Sequence, residues 1–214
     1  MHYAGDLTTT MPVGADYTSR QKDVYNVLIN SYKTATSMIR PGITYREVHV
    51  AVWAKIAEGL KALGLMKDDA MEAAEAGAVA MFMPHGLGHM MGMDVHDMEN
   101  YGEVYVGYPR GAQKDPRFGF RSLRLGRTLE PGFVFTVEPG IYFIPELIDQ
   151  WRAAGKFTDF ICYDKLDAWK DFGGMRNEED YLITETGSRH LGLRKPVDIE
   201  EILACKNGTF TPYI

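Results

Sequence analysis

The sequence predicts an α+β domain in which a curved antiparallel sheet carries helices on its outer face. Two observations carry that reading. Helix signals dominate up to about residue 80, then give way to short strand-like pieces between Gly- and Pro-containing loops. The acidic and imidazole groups that stand out lie within or at the edges of strand-like pieces, not on solvated helix faces, so one side of a sheet could gather them. At 214 residues the chain fits one domain, and 45% hydrophobic with 24% charged residues is the composition of a soluble globular protein.

Residues 2–14 read as extended, with Leu7, Thr8, Thr9 and Thr10 favouring strand before Pro12 and Gly14. A helix opens at the capping box Thr18/Gln21, carries the stripe Val24, Leu28, Tyr32, Ala35 and Ile39, and stops at Pro41-Gly42. A second opens at the capping box Thr44/Glu47 and buries Val48, Val52, Ile56 and Leu60 before Gly64. Residues 68–80 read as a short Ala-rich helix. Strand-like pieces follow at 90–96, 132–138, 140–144 and 179–184. Phe133–Val137 and Ile141–Phe143, joined around Glu138-Pro139-Gly140, read as a bent hairpin. An amphipathic piece from Asp198 to Ala204 closes the domain.

The formal charge of −6 argues against a nucleic-acid partner, which calls for a basic face. No apolar run approaches the roughly 20 residues needed to span a bilayer. Met1–Asp6 has neither the basic region nor the apolar core of a secretory signal. Cys162 and Cys205 lack close-spaced partners and point to reduced thiols in a cytoplasmic protein, and two cysteines exclude a multi-cysteine zinc site.

The densest signal is the run from His85 to Asp97, which holds three of the chain's six histidines. Its glycines argue against a helix, each costing about 1 kcal/mol in a helix interior. Gly88 and Gly92 would let main chain pass close to a neighbour. Imidazoles on such a backbone suit metal ligation, proton transfer or oxyanion stabilisation. Asp6, His89, Glu138 and Glu178 come from separate strand-like segments. Three acids and a histidine could converge on a hard to borderline divalent metal such as manganese, cobalt or zinc. Taken singly, Asp6 and Glu178 read equally well as salt-bridge partners. Glu138 differs, because Val137 and Pro139 leave it no local basic neighbour.

The histidine run, Thr136–Tyr142 and Gly174–Asp180 together resemble the motifs of proline-specific metallopeptidases with the pita-bread fold, prolidases and aminopeptidases P. The resemblance runs in order from about Asp6 to about Ala204. Met91 departs from it, standing where the family has a branched aliphatic residue. The resemblance implies hydrolysis of Xaa-Pro bonds in short proline-containing peptides, a homodimer, and a centre of two divalent ions, manganese foremost. Such ions would acidify a bound water and polarise the scissile carbonyl.

Carried over by motif, the ligands are Asp6, His89, Glu138 and Glu178. The family's other aspartate belongs upstream of Asp6, and the chain begins five residues before that position. Residues 1–214 are therefore expected to form a single, N-terminally incomplete catalytic domain that binds at most one ion tightly and is weak or inactive alone. The resemblance makes Glu138 the catalytic proton carrier, places His96 and His85 at the substrate carbonyl or backbone, and gives Arg176 a supporting role beside the carboxylates. Arg124 matches the prolidase arginine that clamps the dipeptide's terminal carboxylate. Arg121 and Arg127 flank it, so a surface basic cluster is the plainer alternative. Two competing functions share the fold: a binding or scaffolding module without catalysis, and an amidinohydrolase such as creatinase, which does not need these ligands.

Overall fold

A computed structural model describes residues 2–209. Its strands are β1 (Thr8–Thr9), β2 (Val134–Val137), β3 (Gly140–Phe143), β4 (Gly173–Ile183) and β5 (Ser188–His190). Its helices are α1 (Ser19–Met38), α2 (Tyr45–Ala62), α3 (Ala70–Ala76), α4 (Glu103–Gly107), α5 (Pro145–Ala153), α6 (Tyr163–Leu166) and α7 (Ile199–Lys206). None is long and apolar enough to cross a membrane.

The helical part follows the sequence reading. Both capping boxes form, Thr18 with Gln21 and Thr44 with Glu47. All nine stripe residues of α1, its C-cap Ile39 and α2 are buried, and the two helices pack on each other, with α1 also against β4. The predicted 68–80 helix is shorter. Asp69 caps α3, and the chain breaks at Gly77, whose φ of +92° suits glycine, before a 3-10 turn over Ala78–Met81.

The sheet is organised by β4, to which the other four strands all pair antiparallel. Here the predicted hairpin is corrected. β2 and β3 do not pair with each other: β2 runs along the far half of β4 (Val134↔Leu182 to Val137↔Glu179) and β3 along the near half (Gly140↔Arg176 to Phe143↔Gly173). They form one edge interrupted at Glu138-Pro139, opposite Asn177 and Glu178. On the other edge, β1 pairs with those same two residues, Thr8↔Glu178 and Thr9↔Asn177. The break in one neighbour and the whole of the other thus meet β4 at one point.

The predicted strand at 90–96 is also displaced. Backbone ladder bonds join residues 87–91 to β2: Thr136 N–H to His89 O (3.0 Å), Glu138 N–H to Leu87 O (2.8 Å) and Met91 N–H to Val134 O (2.9 Å). Residues 92–96 are bends that lead into a turn at 97–98. Within 2–14 only Thr8–Thr9 is strand, and β4 begins at Gly173, six residues earlier than expected, because pairing with β3 carries it through two glycines.

Candidate metal centre

Each functional side chain is delivered by this strand arrangement. A Cβ on Gly88 would lie 2.0 Å from the carbonyl oxygen of Thr136, so only glycine lets the histidine run lie against β2. That contact carries His89 to the sheet. Period-two alternation then places Asp6 with Thr8, Thr136 with Glu138, and Arg176 with Glu178 and Asp180.

Asp6, His89 and Glu178 offer ligand atoms that all lie within 4.8 Å of one another. His89 Nε2 stands 3.5 Å from Asp6 Oδ2 and 3.6 Å from Glu138 Oε1. The four sequence-predicted ligands therefore converge. His89 and Glu178 are 2% exposed and Glu138 8%. His89 Nδ1 lies 3.1 Å from Met90 O, an acceptor only, so Nδ1 carries the proton and Nε2 presents a lone pair to the carboxylates.

Electrostatics mark the cluster as short of positive charge. Burial, reinforced by the charge of Glu178, pushes the Glu138 carboxyl up to about 8, with Arg176 opposing. Burial also raises Glu178, against a hydrogen bond from Thr8 Oγ1 at 2.7 Å. His89 is pushed down by burial, which keeps the imidazole in its neutral, ligating form. One imidazole and three mutually repelling carboxylates, all buried except the partly exposed Asp6, are a donor set that suits a divalent ion of the manganese, cobalt or zinc type.

The remaining predicted residues surround a cavity of about 230 Å³, lined by His85, His89, His96, Arg124, Glu138 and Arg176 among others. Glu138 does have a basic neighbour, correcting the local reading: Arg176 Nη1 reaches Oε2 at 3.1 Å from β4, while its Nε donates to Tyr142 Oη at 2.9 Å. His96 packs edge-on against His89 at 4.3 Å between centroids. His85 donates from Nδ1 to Gly86 O at 2.8 Å, and burial pushes it down to about 4. Arg124 faces Glu99 at 3.3 Å. Arg121 and Arg127 are not among the residues lining the cavity.

Sequence reasoning missed Thr8 and Thr136. The Thr136 hydroxyl accepts from His89 N–H (3.1 Å) and donates to Glu138 Oε1 (3.3 Å). It missed Asp180 as well, whose Oδ2 accepts the Asp6 N–H at 3.1 Å. The available signal was a polar residue two positions from each predicted ligand on a strand.

Residues 1–185 match metallopeptidase family M24. The chain belongs to that family. Among M24 relatives, the Xaa-Pro dipeptidase of Rattus norvegicus is 40% identical over 208 residues, covering 96% of this chain and 40% of the relative. A probable Xaa-Pro aminopeptidase of Verticillium alfalfae is 36% identical over 203 residues, covering 94% and 42%. Zinc-substituted Escherichia coli aminopeptidase P in complex with product superposes with a TM-score of 0.72 at 32% identity, covering 98% of this chain and 39% of that one. Proline aminopeptidase P II from Yersinia pestis gives 0.71 at 33% identity, covering 95% and 38%. The fold is thus the aminopeptidase P-like, pita-bread fold. The M24 chain spans about two fifths of the length of these curated relatives.

Proposed function

We propose that this chain carries the metal-binding part of a hydrolase for Xaa-Pro peptide bonds, with Asp6, His89, Glu138 and Glu178 holding one divalent ion tightly. The observation that carries the reading is the convergence of those four groups at the point where β1, β4 and the β2–β3 break meet. Manganese is the proposed ion, with cobalt and zinc as alternatives of the same donor preference. When bound, it would acidify a water and polarise a carbonyl.

The protein groups have separable parts. Glu138, once the ion has displaced its proton, suits accepting a proton at one carboxylate oxygen and passing it to a leaving nitrogen. Arg176 holds its Oε2 and so fixes the direction of that transfer. His96 borders the cavity where a peptide carbonyl needs a hydrogen-bond donor, and His85, neutral with its Nδ1 proton on Gly86 O, offers Nε2 there as an acceptor for a substrate backbone N–H. Arg124, by its match to the prolidase arginine, would clamp the free terminus of a dipeptide, a match that favours dipeptidase over aminopeptidase, and it would share or release Glu99, which it faces at 3.3 Å, to do so.

The test is an assay of Xaa-Pro dipeptides with added manganese, comparing this chain with His89→Ala. The expected rate for the chain alone is low, since positioning errors of even 1 Å cost about a hundredfold. What hydrolysis there is should require manganese and vanish in the variant. Hydrolysis indifferent to manganese or to His89 overturns the reading.

A further inference from the structure

β1 supplies Thr8 and carries Asp6 two residues before it, yet it is two residues long and has two register pairs. A cation on the other side of β4 compensates for that short pairing. Lys195 lies in the segment between β5 and α7, beyond the residues matched by the family. Its Nζ donates to the carbonyl oxygens of Thr8 and of Glu178 (2.7 Å to the latter), two residues directly opposed across the β1–β4 pair. Its third direction faces Glu179 Oε1 at 3.7 Å. An ammonium has three donors and no acceptor; two are hydrogen-bonded here to the two carbonyls, and its charge stands at ion-pair distance from the Glu179 carboxylate.

The surroundings make this a built contact. The Lys195 side chain is 16% exposed and that of Glu179 2%. Glu179 is held in turn by His190 Nε2 at 2.7 Å. The lysine's own segment is anchored two residues on, at Val197: its O accepts from the buried Tyr25 hydroxyl at 2.8 Å, and its N–H donates to Glu201 Oε2 at 3.0 Å.

We infer that Lys195 is a positioning residue for the metal centre, pinning β1 to β4 through the Thr8 and Glu178 carbonyls and so fixing the separation of the Asp6 and Glu178 carboxylates. Lys195 touches neither ion nor substrate. It acts through the backbone of two residues whose side chains face the site. The inference rests on the metal reading of Asp6 and Glu178, but its mechanical half does not.

The experiment uses the full chain and Co2+ as probe, with Lys195→Met, Lys195→Arg and the control Lys206→Met, whose lysine holds Pro12 O and Gly14 O away from the ligands. Two quantities are read: Co2+ affinity with its visible absorption spectrum, and amide hydrogen exchange of the metal-free protein at residues 6–10 against residues 134–137. Lys195→Met should weaken Co2+ binding about 10- to 100-fold, the range for groups that orient metal ligands. It should also alter the spectrum and speed exchange at 6–10 alone. Lys195→Arg should recover most of both effects, and Lys206→Met should match the wild type. Should Lys195→Met fail to fold, Lys195→Gln, which keeps a donor, is read the same way. Wild-type affinity and protection in the Lys195 variant overturn the inference, as does exchange that rises equally in β2. A wild-type chain that takes no Co2+ instead defeats the metal reading, leaving the pinning of β1 to be judged by exchange.

Discussion

Glu178 and Glu179 are neighbours on β4 and each is 2% exposed, yet their surroundings are opposite. Glu179 points to the side where His190 and Lys195 meet it, so its charge is answered by a lysine ammonium and a hydrogen-bonded imidazole. Glu178 points to the side where Asp6 and Glu138 add to its charge, and burial raises its proton affinity. A strand alternates its side chains, so one residue step separates a finished ion-pair cluster from an acid cluster whose three carboxylates share one guanidinium, that of Arg176. Carboxylates that outnumber their internal counter-charge mark a place built to receive more positive charge from outside.

The sharpest way to break this contrast is to remove an acid from each side. Glu178→Gln should lower divalent-ion affinity by at least about a hundredfold, since a direct ligand matters more than the groups that orient it. Metal titration of the variant checks this. Glu179→Ala should act on folding instead, leaving Lys195 and His190 without their shared carboxylate. A loss of about 2–4 kcal/mol in urea unfolding is expected. If the two substitutions had interchangeable effects, the distinction between the faces would fail.

A smaller effect separates the two sides by pH. Glu138, pushed up to about 8, keeps in the folded chain a proton that an ordinary carboxyl loses near 4.5. Its contribution to stability is full below pH 4.5 and falls as pH rises through 8. His85 and His49, pushed down to about 4 and about 3, act in the other direction: their contribution is present above pH 6.5 and lost as pH falls through those values. Between pH 6.5 and 8 Glu138 alone of these three groups still changes its protonation. The metal-free chain should lose stability there, by at most about 1.4 kcal/mol per pH unit for each proton. Glu138→Gln should flatten the slope in denaturation curves collected across that range, and a slope unchanged in the variant would contradict the assignment.

The least disruptive probe is Thr8→Val, which removes the hydroxyl on Glu178 and keeps the shape. Ion affinity should fall by up to about tenfold with little change in unfolding. An equal or larger loss than in Glu178→Gln would mean that Thr8 is the ligand and the glutamate its support.

The helices were legible because their information is local. Thr18/Gln21 and Thr44/Glu47 each state a helix start within four residues, and the 3.6-residue stripes name the buried face. The ligands were legible as residue types out of place, carboxylates and an imidazole in apolar strand-like runs. Pairing was not, because it depends on distant partners. Glu138-Pro139-Gly140 has turn composition, and nothing nearby shows that both flanking strands bind β4, some 40 residues on. The cations were hidden for the same reason. Arg176 is far from Glu138 in sequence, and Lys195 reads as an ordinary surface residue until the sheet brings Thr8 and Glu178 beneath it.

The central claim is that the acid cluster holds protons only for want of a metal. Calorimetric titration of the metal-free chain with Mn2+ at pH 7, in two buffers of different ionisation enthalpy, tests it directly. The account predicts saturable binding with release of about one proton per ion, because binding must displace the proton held at Glu138. Glu138→Gln should bind without that release, and Glu178→Gln should scarcely bind. Absence of saturable binding, or binding indifferent to Glu178→Gln and unaccompanied by proton release, would contradict it.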